Sequence, residues 1–322
     1  MTEYNVLVTS IGGDLGQAVC KALRGSNYNI KVWGTDCNNY PLHPLFCDSF
    51  HVIPKAENTL FTEWINKFAF YESIDLIYLC SEPELFYICD NYHELDDNLK
   101  CRMAIPSLEV INLCRDKYKT MEFLKNNNFP SPHSVVYDNT ISQNKLLKNF
   151  KYPFVLKKIC DCGSKNLHII QDPKELNNIN NLDNSYMIQE YISGIEYTNG
   201  VYRDSFTNEI HVITLERTLK DGRSDTVKVI FDKEIDDLCK NVALKLNISN
   251  SINIQLRKQK NSPPYIFEIN PRYSSTAFMR ATFGFNDVIY AFENIVLKKA
   301  ITPPIIKTGE AYRYLTEYYK FY

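Results

Sequence analysis

The chain is poor in glycine and lacks the long apolar segments of membrane or secreted proteins. Only 11 of its 322 residues are glycine, about half of the usual share of roughly 7%. No window approaches the ~18 consecutive apolar residues that a membrane helix requires. The start has neither the basic region nor the apolar run of a signal peptide. We therefore expect a cytoplasmic protein with no membrane partner.

An excess of charge of either sign is also missing. The 36 basic and 38 acidic residues give a formal net charge of -2, whereas nucleic-acid binding usually takes a basic excess or a basic face. Ten cysteines are present, but no two are spaced as Cys-x-x-Cys, and the closest pair, Cys160 and Cys162, has no histidine ligands nearby. Reduced thiols fit this pattern better than disulfides or structural zinc. No nucleic-acid partner is expected.

The length of the chain predicts two domains, since domains average roughly 150 residues. The first hundred residues alternate apolar strand patterns with helix patterns, which is typical of a parallel sheet with crossover helices. From residue 152 onwards the pattern is rich in strands. We predict a Rossmann-like α/β domain over residues 1–108, followed by an α+β domain over residues 109–322.

A strand pattern at residues 265–268 leads into polar side chains of chemical interest. Alternate residues of a strand share a face, so Glu268, Asn270 and Arg272 point in the same direction. Gln255 joins them if its own strand pairs with this one. Carboxylate and amide oxygens suit Mg²⁺, and a guanidinium suits a phosphoryl group. Taken alone, the alternation also fits an exposed strand with solvated polar residues.

Several motifs in a fixed order resemble the ATP-grasp superfamily, in its carbamoyl-phosphate-synthetase-like branch. The resemblance covers nearly the whole chain and implies a preATP-grasp domain followed by an ATP-grasp domain with a mobile lid at about residues 133–190. The motifs are Arg-Asp-Lys at 115–117, Tyr-Pro-Phe-Val-Leu-Lys at 152–157, a glycine-containing loop at 162–166, the hinge-like string at 187–198, and Gln255 with Glu-x-Asn-x-Arg at 268–272.

The resemblance implies a role for each matching residue. ATP would be contacted by Lys117, Lys157, Gly163, Ser164, Glu190, Ile192 and Glu196. Mg²⁺ or Mn²⁺ would be held by Gln255, Glu268 and Asn270. Arg272 would neutralise the transferring phosphoryl group, and Arg280, with Ser274 and Ser275, would bind an acceptor carboxylate or acyl phosphate. The loop at 162–166 departs from the family because it keeps a single glycine where two or three are usual.

The activity implied by the resemblance is that of a carboxylate-amine ligase. Such an enzyme phosphorylates a carboxylate with ATP, and an amine then attacks the acyl phosphate to give an amide, ADP and phosphate. The expected partners are a small-molecule acid and amine, with a homodimer as one assembly. Lid closure would exclude water from the activated intermediate.

Other interpretations of the sequence stay open at this point. The Gly-Gly-Asp-Leu-Gly turn at 12–16, with Asp36 about twenty residues further on, suits an NAD(P)-dependent oxidoreductase or epimerase, although no tyrosine has a lysine four residues later. A third reading is an ATP-binding sensor without turnover. Glu82 and Glu84 either contact a substrate amine or are exposed acids in a turn. Arg217 and Arg223 are weaker phosphate or substrate candidates.

Overall fold

Three β-sheets organise the part of the chain that the structure, a computed structural model, describes: residues 2–138, 140, 147–160 and 166–320. The strands are β1 (Tyr4–Val8), β2 (Ile30–Asp36), β3 (Ser49–Val52), β4 (Leu76–Tyr78), β5 (Ser134–Val136), β6 (Phe154–Lys158), β7 (Leu167–Ile170), β8 (Tyr186–Glu190), β9 (Ile195–Arg203), β10 (Ile210–Lys220), β11 (Arg223–Ile230), β12 (Asn250–Lys258), β13 (Tyr265–Asn270) and β14 (Glu310–Tyr312). The helices are α1 (Asp14–Arg24), α2 (Leu60–Tyr71), α3 (Glu82–Asp90), α4 (Asp97–Lys100), α5 (Leu108–Cys114), α6 (Lys117–Asn126), α7 (Pro173–Asn177), α8 (Lys233–Leu246), α9 (Ala277–Thr282) and α10 (Asp287–Ile295).

The first sheet is parallel and has the strand order β3-β2-β1-β4. Its central residues are fully buried, as in Val6, Leu7 and Ile77, because crossover helices cover both faces of such a sheet. This confirms the predicted α/β fold of the first part of the chain. The strand order reverses beside β1, so α3 begins at the crevice beyond the ends of β1 and β4, where open α/β sheets usually bind ligands.

The other two sheets form the second part of the chain, and both are antiparallel in all their pairings. A six-stranded sheet has the order β13-β12-β9-β10-β11-β14, and a four-stranded sheet has the order β5-β8-β6-β7. Helix α8 packs its apolar side chains, including Ile235 and Val242, against Val201 and Ile254 of the six-stranded sheet. We refer to the six-stranded sheet as the base and to the four-stranded sheet as the lid.

Two cores differ in what they join. One contains Val6 and Tyr78 of the parallel sheet together with Leu215 of the base and Phe285 and Phe292. The lid has a separate small core that includes Phe154, Leu156, Leu176 and Ile188. The parallel sheet and the base therefore share buried apolar surface, whereas the lid packs mainly on itself. No helix in the described part of the chain has the length and apolar character needed to span a bilayer.

Helix α3 corrects one expectation for the acids after β4. Ser81 caps the helix by accepting a hydrogen bond from the Glu84 backbone N–H at 3.3 Å, and Pro83 lies in the first turn, where its missing N–H costs nothing. Glu82 and Glu84 are therefore helical residues, and Glu84 is only 6% exposed. Of the two interpretations of these acids, exposed residues in a turn is therefore wrong, because the segment after β4 is a capped helix.

Candidate active site

A cavity of about 330 Å³ lies between the lid and the base. Residues of β6, β7 and β8 line it from the lid, and residues of β10, β12 and β13 line it from the base. Of the predicted site residues, those at the cavity wall are Lys117, Lys157, Glu190, Ile192, Glu196, Gln255, Glu268, Asn270 and Arg272. The structure thus brings together nine side chains that the sequence separates by up to 155 positions.

The proposed metal ligands share one face of two paired strands. Gln255 on β12 lies directly opposite Glu268 on β13, and Asn253 lies opposite Asn270. Directly opposed residues of an antiparallel pair project to the same side with Cβ atoms ~5 Å apart. Strands β12 and β13 therefore pair, which is the condition under which Gln255 was expected to join Glu268 and Asn270.

The donor set of this face fits a divalent cation bound with a nucleotide. Gln255, Glu268 and Asn270 supply one carboxylate and two amide oxygens, which are the hard ligands that Mg²⁺ takes. Among the described residues no three His, Cys, Asp or Glu side chains are close enough to hold an ion by themselves. Mg²⁺ commonly relies on one or two carboxylates and completes its shell with substrate phosphates and water. The side chains present are compatible with that arrangement.

Lys157 reaches from the lid towards this face. Its side chain is 5% exposed, and its Nζ donates to the Phe267 carbonyl on β13 at 3.2 Å. Burial lowers the pKa of Lys157 from 10.5 to about 8, with Glu268 opposing this effect and Lys117 adding to it. Lys117 is the first residue of α6, whose N-terminus is capped by Asp116. Lys157 from the lid and Lys117 from α6 therefore line the same cavity as Glu268.

Arg272 marks the end of the cavity nearest the parallel sheet. Its Nε donates to Glu82 Oε1 at 2.8 Å, and its Nη2 contacts the same oxygen. Its Nη1 donates to the Tyr273 carbonyl. Glu82 also lines the cavity, so the first helical turn of α3 contributes an acid to the site. The sequence identified Glu82 as a candidate site residue but did not predict its ion pair with Arg272.

Glu196, the residue expected to hold the ribose, lies between two arginines. Arg217 donates to Glu196 Oε1 at 3.0 Å from Nε and 2.7 Å from Nη2. Arg257 donates to Glu196 Oε2 at 3.1 Å from Nε and 2.8 Å from Nη2. Both oxygens of the carboxylate are engaged in this structure. Arg257 was not identified from the sequence, although its position two residues after Gln255 on one strand face was a usable signal.

The hinge between lid and base carries Glu190 and Ile192. The Glu190 backbone N–H donates to the His133 carbonyl at 2.8 Å, and the Ile192 carbonyl accepts from Arg257 Nη1 at 3.2 Å. The Arg257 guanidinium also lies 5.2 Å from the centre of the Tyr191 ring. Arg257 thus fixes the hinge to the base beside Glu196.

Arg280 does not reach the cavity. It is fully buried, and it donates to Asp287 Oδ2 at 2.6 Å and to Ser274 Oγ at 2.9 Å. A side chain sealed in the interior and paired with a carboxylate has no route to an acceptor substrate. The expectation that Arg280 and Ser274 bind the acceptor is therefore not supported by their placement. Neither the alternation of strand residues nor the family motif indicated that Arg280 pairs with Asp287.

The remaining candidates fall outside the site or outside the described residues. Arg223 begins β11, which forms a hairpin with β10, and its exposed side chain contacts Asp14 at 3.4 Å. The Ser275 carbonyl accepts from Arg313. Gly163 and Ser164, predicted to cover the phosphates, lie outside the described residues, while the neighbouring Asn166 lines the cavity.

The glycine turn of the first sheet is closed by its own acid. The Gly12 backbone N–H donates to Asp36 Oδ2 at 2.9 Å, and the Asn38 backbone N–H donates to Asp36 Oδ1 at 3.1 Å. A Cβ at Gly12 would lie 2.8 Å from Asp36 Oδ2. The carboxylate that a dinucleotide-binding reading assigns to a ribose is thus used to hold the turn.

The comparisons with known proteins agree with the geometry of the cavity. The model of the ATP-grasp domain family matches residues 114–276, just over half of the 322-residue chain. The chain belongs to the ATP-grasp family. This membership supports the ATP-binding reading of the sequence and not the dinucleotide alternative. No curated protein matches the sequence.

Solved structures show the same fold at low sequence identity. N5-carboxyaminoimidazole synthetase from Staphylococcus aureus with ADP has 15% identity and a TM-score of 0.72, over 95% of this chain and 81% of that one. Biotin carboxylase from Campylobacter jejuni has 16% identity and a TM-score of 0.71, over 95% and 74%. L-amino acid ligase from Bacillus licheniformis has 14% identity and a TM-score of 0.67, over 94% and 75%.

Proposed function

We propose that the chain is an ATP-dependent carboxylate-amine ligase. The observation that carries the proposal is the meeting, in one cavity, of Lys157 from the lid with Glu268, Asn270 and Arg272 from the base. This set combines cations for phosphates with oxygen ligands for Mg²⁺. Two of the similar structures are of proteins described as a synthetase with ADP and an amino acid ligase.

The proposed reaction starts with transfer of the γ-phosphoryl group. A carboxylate oxygen of the acid attacks the γ-phosphorus, the bond to the β-phosphate oxygen breaks, and ADP leaves. The attack brings two anions together, so positive charge must be placed where charge builds up. A bound Mg²⁺ ion would supply part of that charge. Lys117, Lys157 and Arg272 would supply the rest.

The second step joins the two substrates. The amine nitrogen attacks the acyl carbon, loses a proton, and expels inorganic phosphate to leave an amide. Glu82 lies beside Arg272 at the cavity wall, which supports a role for this acid in binding the amine. Closure of the lid would shield the acyl phosphate from water.

The proposal keeps four further predictions from the sequence. It divides the chain at residue 108, with a lid at about 133–190, and it assigns ATP with Mg²⁺ or Mn²⁺ as cofactors. It also places the protein in the cytoplasm, with a homodimer as one assembly. None of the nine described cysteines is in a disulfide, which is consistent with a reducing compartment. Light scattering would measure the assembly directly.

The test is a coupled assay of ADP release with panels of acids and amines. We expect release that needs an acid, an amine and Mg²⁺ together, and hydroxylamine should trap a hydroxamate from the correct acid. ATP binding without turnover across the panels would favour a sensor instead. NAD(P) binding without ATP binding would contradict the proposal entirely.

A further inference from the structure

Arg217 connects the two halves of the nucleotide cavity. Its Nη2 donates both to Glu196 Oε1 at 2.7 Å and to Gln255 Oε1 at 3.0 Å. The side chain is 10% exposed and lines the cavity. The guanidinium therefore lies in contact with the amide oxygen of the metal-binding face, and its positive charge is directed at the same space as that of a bound cation.

The acids of the cavity are nearly all committed to other partners. Among the described residues, the cavity is lined by Glu82, Glu190, Glu196 and Glu268. Glu82 pairs with Arg272, and Glu196 pairs with two arginines. Glu190 is at the hinge, where its Oε2 accepts from the His133 N–H at 3.3 Å. Glu268 is thus the carboxylate available to a cation on the β12–β13 face.

The register of the two strands makes residue 255 decisive for the number of cations. Gln255 is directly opposite Glu268, so a carboxylate there would stand beside that of Glu268, an arrangement suited to two metal ions ~3.5–4 Å apart. The amide supplies an oxygen ligand but no negative charge. A second divalent ion would need Gln255 Oε1 as a ligand, and the positively charged Arg217 guanidinium already donates to that oxygen.

We propose that Arg217 takes the place of a second divalent cation, so that the site holds one Mg²⁺ or Mn²⁺ ion for each bound nucleotide. This inference rests on the proposed function, because it concerns the ATP site of that reaction. Glu268 and Asn270 hold the single ion together with the phosphates, and Gln255 contributes the lone pair that Arg217 leaves open.

The charges at the cavity wall support this arrangement. The described lining residues include six cationic side chains, Lys117, Lys157, Lys158, Arg217, Arg257 and Arg272, against the four glutamates. The protein thus brings a surplus of positive charge to the phosphates before any ion binds. A second divalent ion would add repulsion without a carboxylate to balance it.

The experiment counts Mn²⁺ ions and nucleotides on the full chain. Equilibrium dialysis with radiolabelled AMP-PNP measures bound nucleotide, and electron paramagnetic resonance of free Mn²⁺ measures bound ion. We expect one Mn²⁺ per nucleotide in the wild type. Gln255→Glu alone should also retain one, because Arg217 would pair with the new carboxylate. Adding Arg217→Met to Gln255→Glu should raise the ratio to two.

A matched control comes from the other arginine on Glu196. Arg257→Met removes an arginine that pairs with Glu196, as Arg217 does, but has no bond to Gln255, so its ratio should stay at one. Two ions per nucleotide in the wild type would overturn the inference while leaving the proposed ligase intact. A ratio of one in the double variant would also overturn it. Absence of AMP-PNP binding by the wild type would refute the proposed function and this inference together.

Discussion

Arg272 and Glu82 form an ion pair between the base and the first helical turn after β4, with Nε of the arginine 2.8 Å from Oε1 of the glutamate. The two side chains are 22% and 11% exposed. They lie 190 positions apart in sequence, so the parallel sheet and the base meet at a residue proposed to contact the phosphoryl group. An incoming anion would compete with Glu82 for this guanidinium.

Replacing Arg272 should therefore affect the chemical step more than nucleotide binding. We expect Arg272→Met to lower kcat by ~10²–10³, which is the usual cost of removing one stabilising donor from a developing charge, with the KM for ATP changed only a few-fold. Steady-state ADP release measures both constants. Arg24→Met, at an exposed pair with Asp48, is the control and should leave both unchanged. A kcat within threefold of wild type would argue against the role of Arg272.

Glu268→Gln should remove the only charged ligand of the proposed ion. We expect turnover to fall by at least ~10² and the Mg²⁺ concentration for half-maximal rate to rise, because an amide oxygen is a weaker ligand for a hard cation. Thermal unfolding should stay near that of the wild type, since Glu268 is partly exposed. The exposed Glu209→Gln is the control. Unaltered Mg²⁺ dependence in Glu268→Gln would contradict the proposed ligand set.

Replacing Lys157 should make the folded protein more stable but inactive. Its pKa in the folded chain is about 8, below its ordinary 10.5, so burying the charged form costs about 3 kcal/mol at 1.36 kcal/mol per pKa unit. Lys157→Met should raise the free energy of unfolding at pH 7 by about 1–3 kcal/mol and abolish ATP turnover. Chemical denaturation with and without ATP measures both effects. A less stable Lys157→Met protein would show that the buried charge is not costly.

The same pKa fixes the sign of a pH effect. Between pH 8 and 10.5 the unfolded chain holds the Lys157 proton that the folded chain has released, so this residue makes the free energy of unfolding rise with pH across that window. ATP affinity should fall over the same interval, because the neutral amine does not attract phosphate. Titration calorimetry at pH 7 and pH 9 tests the second effect, and Lys157→Met should lack it.

Arg280 should prove structural. Arg280→Met leaves Asp287 buried without its cation, which typically costs about 3–5 kcal/mol, so we expect a clear drop in the denaturation midpoint. Adding Asp287→Asn should recover part of the loss, since the amide can still accept from Ser251 and carries no charge. A stable Arg280→Met protein that has lost affinity for the acid substrate would restore the catalytic reading.

Sequence patterns predicted the elements whose periodicity is strong. The alternation of strand and helix patterns over the first hundred residues appears as β1, α1, β2, β3, α2 and β4 in that order. The hairpin strand β11 was missed because its sequence mixes polar residues with only three apolar ones, and its pairing with β10 is a tertiary contact. The start of α3 was not predicted, because a proline such as Pro83 is equally typical of a turn and of the first turn of a helix.

The candidate site was predictable where one strand face or one motif fixes a residue. Gln255 and Glu268 followed from alternation and from the family resemblance, and the structure pairs them. The partners of Glu196 did not follow, because ion pairs such as Arg257 with Glu196 depend on register across strands that sequence spacing does not reveal. Burial of Arg280 was equally hidden, since its acid lies seven positions further on in a different helix.

The shared core of the parallel sheet and the base limits how the protein can be divided. Val6 and Tyr78 pack in the same cluster as Leu215 and Phe292, so a fragment that begins at the family-matched segment would expose an apolar face that the first strands normally cover. Such a fragment should aggregate when it is produced alone. A gene fusion or a split-protein reporter would therefore be better placed in the lid, whose side chains form their own cluster.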